Sequence, residues 1–169
     1  MRNPQRIASL LVFLALAGGA WGLVRARIRA TALAGTSHDI PRPHQDQPPH
    51  GGTPVGLGDD QFNVELVRDP ATGTFRAYVL DGEMEDFIRI HMKALVIDAD
   101  LGGRKETLTL LPVADPATGE TANDTCLFQT RADWLRSVGH FKGILRSLKI
   151  QDQTFQSVAF AFPEGNPKG

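Results

Sequence analysis

The chain of 169 residues is long enough for one domain with an appendage and too short for two full domains with linkers. Hydrophobic residues make up 41% and charged residues 22%, which excludes disorder of the whole chain. The first 30 residues hold five Arg and no acid, so 13 basic and 19 acidic residues remain after them, a net charge of −6. This balance argues against binding to nucleic acid.

The segment Ile7–Val24 contains 18 residues without a charge and predicts a membrane helix. It is apolar all round, and Arg residues flank it at positions 2, 6, 25, 27 and 29. A bilayer core requires roughly 20 apolar residues, so the segment lies at the short end for a span. The basic stretch after it favours an uncleaved anchor, with cleavage after Ala34 as the alternative. Gly19 stands where a lipoprotein would need Cys, which excludes lipidation there.

Residues 31–52 contain four Pro, three Gly and three His and almost no periodic apolar residues. Such a composition cannot recover the entropy of ordering by burial, so a flexible, disordered linker is predicted. The domain organisation is therefore an anchor at 1–30, a linker at 31–52, a folded domain at 53–164 and a tail at 165–169.

Within the folded domain the hydrophobic period is two, which is typical of half-buried strands. The strands Phe62–Leu66 and Phe75–Leu80 are joined by Asp69-Pro70-Ala71-Thr72-Gly73, a sequence suited to a tight turn. The same pentapeptide recurs at Asp115–Gly119, where we interpret it as independent turn chemistry. Further strands are predicted at Phe87–Met92, Ala94–Ile97, Thr107–Leu111, Thr125–Gln129, Gly143–Ile150 and Phe155–Phe162. In the last of these, Val158, Phe160 and Phe162 are expected to face one way and Ser157, Ala159 and Ala161 the other.

The predicted fold is all-β, an antiparallel sandwich or barrel with one short helix. A helix of one or two turns is expected at Arg131–Val138, because Thr130 is placed to cap it with Asp133 three residues on. Trp134, Leu135 and Val138 would form its apolar stripe, and Gly139 would end it.

The sequence lacks the common catalytic and nucleotide-binding motifs, which argues against an enzyme. Cys126, the single cysteine, excludes an intramolecular disulfide, a cysteine-based zinc site and a CxxC redox site. It lies in a strand-like run without an evident partnering base. We therefore expect a buried, inert thiol.

Candidate metal ligands are His38, His44 and His50, which recur every six residues in the linker. Imidazole suits divalent transition metals, and a loose chain can wrap around an ion, so a weak site is one hypothesis. The alternative is that these residues only keep the linker soluble. The acidic stretch Asp81–Asp86 is interpreted as a solvated turn, although its carboxylates suit a hard cation such as Ca²⁺.

From His50 onward the sequence resembles small bacterial envelope proteins that open with an HGG segment and continue through ELV, D, TG and YVLD. It is also similar to domains that accompany heavy-metal efflux adaptors. The matching residues are His50, Gly51, Gly52, Gly58, Glu65, Leu66, Val67, Asp69, Thr72, Gly73, Tyr78, Val79, Leu80 and Asp81. The resemblance implies an envelope β domain. The relatives often look like lipoproteins and tend to carry His where this chain has Glu83.

Two functional hypotheses follow. In the first, residues 7–24 tether a non-enzymatic β domain to the bacterial inner membrane, with the domain in the periplasm, where it binds a protein partner or contributes to metal handling. In the second, a β domain binds a small ligand or acts as an enzyme in a cleft between sheets. The sequence supplies no convergent set of titratable groups for the second hypothesis.

Overall fold

The computed structural model describes residues 47–167, which contain eight β-strands and two short 3₁₀ helices. The strands are β1 (Thr53–Leu57), β2 (Phe62–Asp69), β3 (Thr74–Asp81), β4 (Leu95–Asp100), β5 (Lys105–Val113), β6 (Leu127–Arg131), β7 (Phe141–Ile150) and β8 (Gln153–Phe162). Within this part of the chain, no helix has the length and hydropathy that a membrane span requires. The predicted span at residues 7–24 and residues 31–46 of the predicted linker lie outside the described residues.

All strand pairs are antiparallel, and the strands follow one another in the order β1-β2-β3-β6-β5-β4-β7-β8. The sheet curls until β1 approaches β8, giving a nearly closed barrel. The all-β, antiparallel prediction is confirmed, and of its two forms the barrel is the one observed.

Alternation along the strands sends one face of each strand into a single core. In β2 and β3 the partners Val64 and Val79, and likewise Leu66 and Ala77, are buried and face inward. The prediction that Phe160 and Phe162 share the inward face of β8 is also confirmed, since both are buried. Three aromatic rings, Phe75, Phe141 and Phe162, pack together inside the barrel with centroid distances of 5.3 to 5.9 Å.

The predicted turn between β2 and β3 is confirmed. The Asp69 carboxylate accepts hydrogen bonds from the Ala71 N–H and the Thr72 hydroxyl, at 2.9 and 2.6 Å, and Gly73 adopts the left-handed conformation with a φ of 71°. These bonds lower the pKa of Asp69, the bond from Thr72 most of all. The second copy of the pentapeptide forms a 3₁₀ helix, Pro116–Thr118, capped by Asp115. In both copies the Asp carboxylate accepts a hydrogen bond of 2.9 Å from the N–H of the Ala two residues on.

Two local predictions about strands were wrong. Strand β1 was missed, because its sequence contains Pro54 and Gly56, two residue types that are depleted in strands. Segment Phe87–Met92 is not a strand: it makes single bridges, Leu80 with Phe87 and Ile90 with Thr125, instead of a ladder.

The predicted helix is a single 3₁₀ turn, Asp133–Arg136, and its flanking residues differ from those expected. Thr130 does not cap it, since this residue pairs with Phe75 in the β3–β6 ladder. Ala132 takes the cap position and Ser137 follows the last residue, ahead of Gly139. Leu135 is fully buried, as an apolar stripe requires.

The seam between β1 and β8 is closed by the chain that follows β8. After Phe162 the chain doubles back, and Gly165 exchanges two backbone hydrogen bonds with Ala161. The side-chain amide of Asn166 then pairs with the backbone of Gly56 in β1, accepting from its N–H at 2.6 Å and donating to its carbonyl at 3.3 Å. The Asn166 side-chain amide thus makes with β1 the two hydrogen bonds that the backbone of a neighbouring strand would otherwise make.

We expect the substitution Asn166→Ala to lower the free energy of unfolding by about 1 kcal/mol, because it removes the two hydrogen bonds between the Asn166 side chain and Gly56 of β1. Urea unfolding followed by circular dichroism measures the change. Asn123→Ala is the matched control, since within residues 47–167 only the backbone groups of Asn123 form hydrogen bonds. Equal stabilities of the two variants would contradict this closure of the barrel.

Candidate functional site

The outward face of β2, β3, β6 and β5 carries apolar side chains where a solvated barrel surface would normally be polar. Glu65, Tyr78, Leu127 and Val113 are register partners in succession across these four strands. Leu111 follows on the same face of β5 with 58% of its surface exposed, and Phe87 lies beside Tyr78 with 45% exposed. We call the set Tyr78, Phe87, Leu111, Val113 and Leu127 the Tyr78 face.

Glu65 belongs to this outward face and yet is fully buried, because residues 50–52 cover it. One carboxylate oxygen, Oε1, accepts hydrogen bonds from the backbone N–H groups of His50 and Gly52, both at 2.8 Å. The other, Oε2, lies 2.7 Å from Nδ1 of His50. A buried carboxylate requires such donors, and here a single three-residue segment supplies all of them.

The two glycines after His50 allow the backbone to lie this close to the sheet. A Cβ atom on Gly52 would be 2.6 Å from the Leu66 carbonyl oxygen and 2.8 Å from Cγ of Glu65, distances that no side chain can occupy. Gly51 has a φ of 66°, a conformation that costs energy for other residues. The His-Gly-Gly sequence is therefore matched to the burial of Glu65.

The imidazole of His50 stacks on the ring of Tyr78, with centroids 3.9 Å apart and an interplanar angle of 14°. Phe87 packs against both rings at 5.8 and 6.1 Å. Burial, together with the charge of Glu65, raises the pKa of Tyr78, while Arg76 opposes the shift. The phenol therefore stays neutral, and the three rings form one aromatic cluster at the centre of the Tyr78 face.

The contact with Glu65 determines which ring nitrogen of His50 is available for chemistry. In the neutral imidazole, Nδ1–H donates the third hydrogen bond to this carboxylate, and Nε2 then carries the lone pair. Within residues 47–167, Nε2 has no hydrogen-bond partner, and 37% of the side chain is exposed. This is how carboxylates orient histidine ligands in metal sites.

Of the three predicted metal ligands, the structure places only His50. His38 and His44 lie outside the described residues. Within residues 47–167 there is no group of three His, Cys, Asp or Glu side chains with the spacing of a metal site. The two remaining histidines of this part are not brought to His50: His91 bonds through Nδ1 to the Asn123 carbonyl, and His140 follows the 3₁₀ turn Asp133–Arg136.

Cys126 is half-buried at the start of β6, beside Glu120. The Glu120 carboxylate accepts hydrogen bonds from the Cys126 N–H at 3.2 Å and the Thr125 hydroxyl at 3.0 Å. Burial and this neighbouring carboxylate raise the pKa of the Cys126 thiol to about 12. The thiol is thereby held in its unreactive form.

The acidic stretch Asp81–Asp86 forms a turn after β3. The Asp81 carboxylate accepts from the backbone N–H groups of Glu85 and Asp86, at 2.9 and 3.2 Å. One oxygen of Asp81, Oδ1, therefore accepts both of these hydrogen bonds in the turn, which agrees with the interpretation as a solvated turn.

A groove of about 680 Å³ lies on the opposite side of the barrel, along β4, β5, β7 and β8. Its apolar floor includes Ile144, Ala159 and Ala161, and Lys142 stands at its margin. Neighbouring charges are paired, for example Asp98 with Arg146 through two hydrogen bonds of 2.7 Å, and this pairing lowers the pKa of Asp98.

No family model matches this chain, and no match is found among curated proteins or solved structures.

Sequence reasoning missed Glu65 and Tyr78 as site residues, because in an alternating strand both occupy positions that normally face solvent. A signal was nevertheless present. His50, Gly51, Gly52, Glu65 and Tyr78 all belong to the motif that carries the resemblance to envelope proteins, and the structure brings these five residues into one cluster.

We expect the Cys126 thiol of the folded protein to react with iodoacetamide on the order of a thousandfold more slowly at pH 8 than an ordinary thiol, because the thiolate fraction falls tenfold per pKa unit. Mass spectrometry over time measures the rate. The same chain in concentrated guanidinium chloride is the control and should react at the ordinary rate. Fast alkylation of the folded protein would contradict the assigned environment.

Proposed function

We propose that this protein is a membrane-tethered, non-enzymatic module of the bacterial cell envelope, with the barrel in the periplasm, and that it contributes to the handling of a divalent transition metal. The observation that carries the metal proposal is the Glu65–His50 pair, which presents Nε2 of a fixed imidazole at the surface. The tether rests on the apolar segment Ile7–Val24 and its Arg flanks. The envelope location rests on the resemblance of the sequence from His50 onward.

In this proposal His50 is the fixed ligand, and His44 and His38 come to it from the preceding chain. Zn²⁺ and Cu²⁺ both accept imidazole nitrogen. Because the composition of the linker predicts flexibility, binding would cost the entropy of ordering it around the ion, so we expect dissociation constants in the micromolar range or weaker. Such affinity suits a protein that passes a metal on rather than storing it.

The non-enzymatic part of the proposal rests on the chemistry of the available groups. Nε2 of His50 has the geometry of a general base, but a nucleophile within its reach is not found among residues 47–167. The one thiol has a pKa of about 12 and is not activated.

A second candidate function, binding of a protein partner, is favoured by the groove along β7 and β8. Ile144 is 45% exposed there, and Lys142 forms no ion pair within the described part of the chain. A partner protein that presents an apolar side chain followed by a carboxylate would complement Ile144 and Lys142. The alternative hypothesis places a small ligand in a cleft between two sheets. This groove instead lies on the outer surface of the barrel, so a ligand bound in it would not lie between sheets.

We expect calorimetric titration of Zn²⁺ into the full chain in detergent to show weak binding, and His38→Ala/His44→Ala/His50→Ala to abolish it. Glu65→Gln, which retains size but removes the charge that orients the imidazole, should weaken binding by about 10- to 100-fold. His91→Ala is the matched control, because this side chain is 81% exposed and lies apart from the cluster. Equal strong binding by parent and triple variant, or no binding by the parent, would contradict the metal proposal.

We expect the full-length protein to remain with membranes through high-salt and carbonate washes, because an apolar segment of this length partitions into hydrocarbon. Immunoblotting of pellet and supernatant measures the distribution. A chain lacking residues 1–30 should appear in the supernatant. Recovery of the parent as a soluble product beginning near Gly35 would show cleavage and remove the tether from the proposal.

A further inference from the structure

The Tyr78 face holds two of the three large, strongly exposed hydrophobic side chains of the described chain, Phe87 and Leu111. Single exposed hydrophobics are common, but here they join the partly exposed Tyr78, Leu127 and Val113 across neighbouring strands. A contiguous apolar surface of this kind marks a site of interaction.

The point at which the chain enters the domain lies on this same face. His50 is held by Glu65 and stacked on Tyr78, so the residues before it depart from the centre of the Tyr78 face and not from another side of the barrel. Only residues 25–49 separate this point from the apolar segment Ile7–Val24. A coil of about 25 residues has a mean end-to-end distance of roughly 25 to 30 Å, comparable with the diameter of a small domain.

The chemistry of the face suits the interface of a bilayer. Tyrosine side chains are enriched at the level of the lipid headgroups, and Phe and Leu side chains insert more deeply, at the boundary with the acyl chains. Arg76 and Arg131 lie on the same outward side of β3 and β6, and neither forms an ion pair within residues 47–167. Carboxylates lie at the two ends of the face: the acidic turn Asp81–Asp86 borders Phe87, and Glu120 lies near Val113, since the Thr125 hydroxyl contacts both.

We infer that the Tyr78 face docks on an anionic phospholipid surface, with Phe87 and Leu111 inserted and Arg76 and Arg131 against lipid phosphates. The inference rests on the proposed membrane tether, which holds the face next to the bilayer at high local concentration. The charged outer surface of β4, β7 and β8 faces away from the membrane, and the groove containing Ile144 remains accessible.

The test uses the full chain in a Cys126→Ala background, reconstituted in vesicles of phosphatidylglycerol and phosphatidylcholine. An environment-sensitive fluorophore is placed at Leu111→Cys or, as the matched control, at Ile144→Cys, a position of similar exposure on the other side of the barrel. Brominated lipids should quench the label at position 111 at least about twofold more than the label at 144, since an interfacial contact places it some 5 to 10 Å deep. Omission of phosphatidylglycerol should reduce the difference.

Equal quenching at both positions in protein that floats with the vesicles would overturn the docking inference while leaving the tether intact. Failure of either labelled chain to float would overturn both the inference and the tether. A label at 111 that is exposed on pure lipid vesicles and shielded in native membranes would overturn lipid docking in favour of a protein partner.

Discussion

A carboxylate buried on the outer side of a β-barrel is the constraint around which this surface is arranged. Glu65 points away from the core, where a charged side chain would ordinarily be solvated, and yet no part of it is exposed. Its charge is compatible with burial only because the His50 and Gly52 backbone and the His50 ring donate to its two oxygens. The same contacts determine the His50 tautomer, the stack on Tyr78 and the point at which the chain meets the barrel.

The barrel provides the rigid support for this arrangement. Register pairing places Tyr78 directly opposite Glu65, so a ring that covers the carboxylate necessarily lies over the phenol as well. On the far side the same alternation exposes charged residues such as Asp98 and Arg146, which form an ion pair. One sheet therefore presents two chemically different surfaces, an aromatic surface at the N-terminal strands and a charged surface around β4 and β7.

We also propose different functions for the two sides of the barrel. The fixed imidazole and the Tyr78 face lie together where the N-terminal chain departs, so metal handling and contact with the bilayer would share one surface. The groove with Lys142 and Ile144 lies along β4, β7, β8 and the first residues of β5, and it shares only β5 with that surface. A partner bound in the groove would leave His50 accessible.

Patterns local in sequence were sufficient for the class of fold. A period of two, the Asp69–Gly73 turn and the inward set on β8 depend on backbone geometry within a few residues, and each was predicted correctly. The low reactivity of the Cys126 thiol was also predictable, since a thiol in a strand-like run is commonly buried and inert. Strand β1 escaped prediction, because its pairing with β2 and the Asn166 closure overcome the poor strand propensity of Pro54 and Gly56.

The site itself was decided by tertiary structure. Sequence alone identified His50 as a chemically notable residue, because imidazole is recognisable wherever it occurs. Glu65 and Tyr78 lie 15 and 28 residues away in the chain, and nothing in an alternating strand distinguishes a solvated Glu from one covered by another segment. That distinction depends on the backbone of Gly51 and Gly52 crossing over the sheet, a contact between distant parts of the chain that only the folded barrel creates.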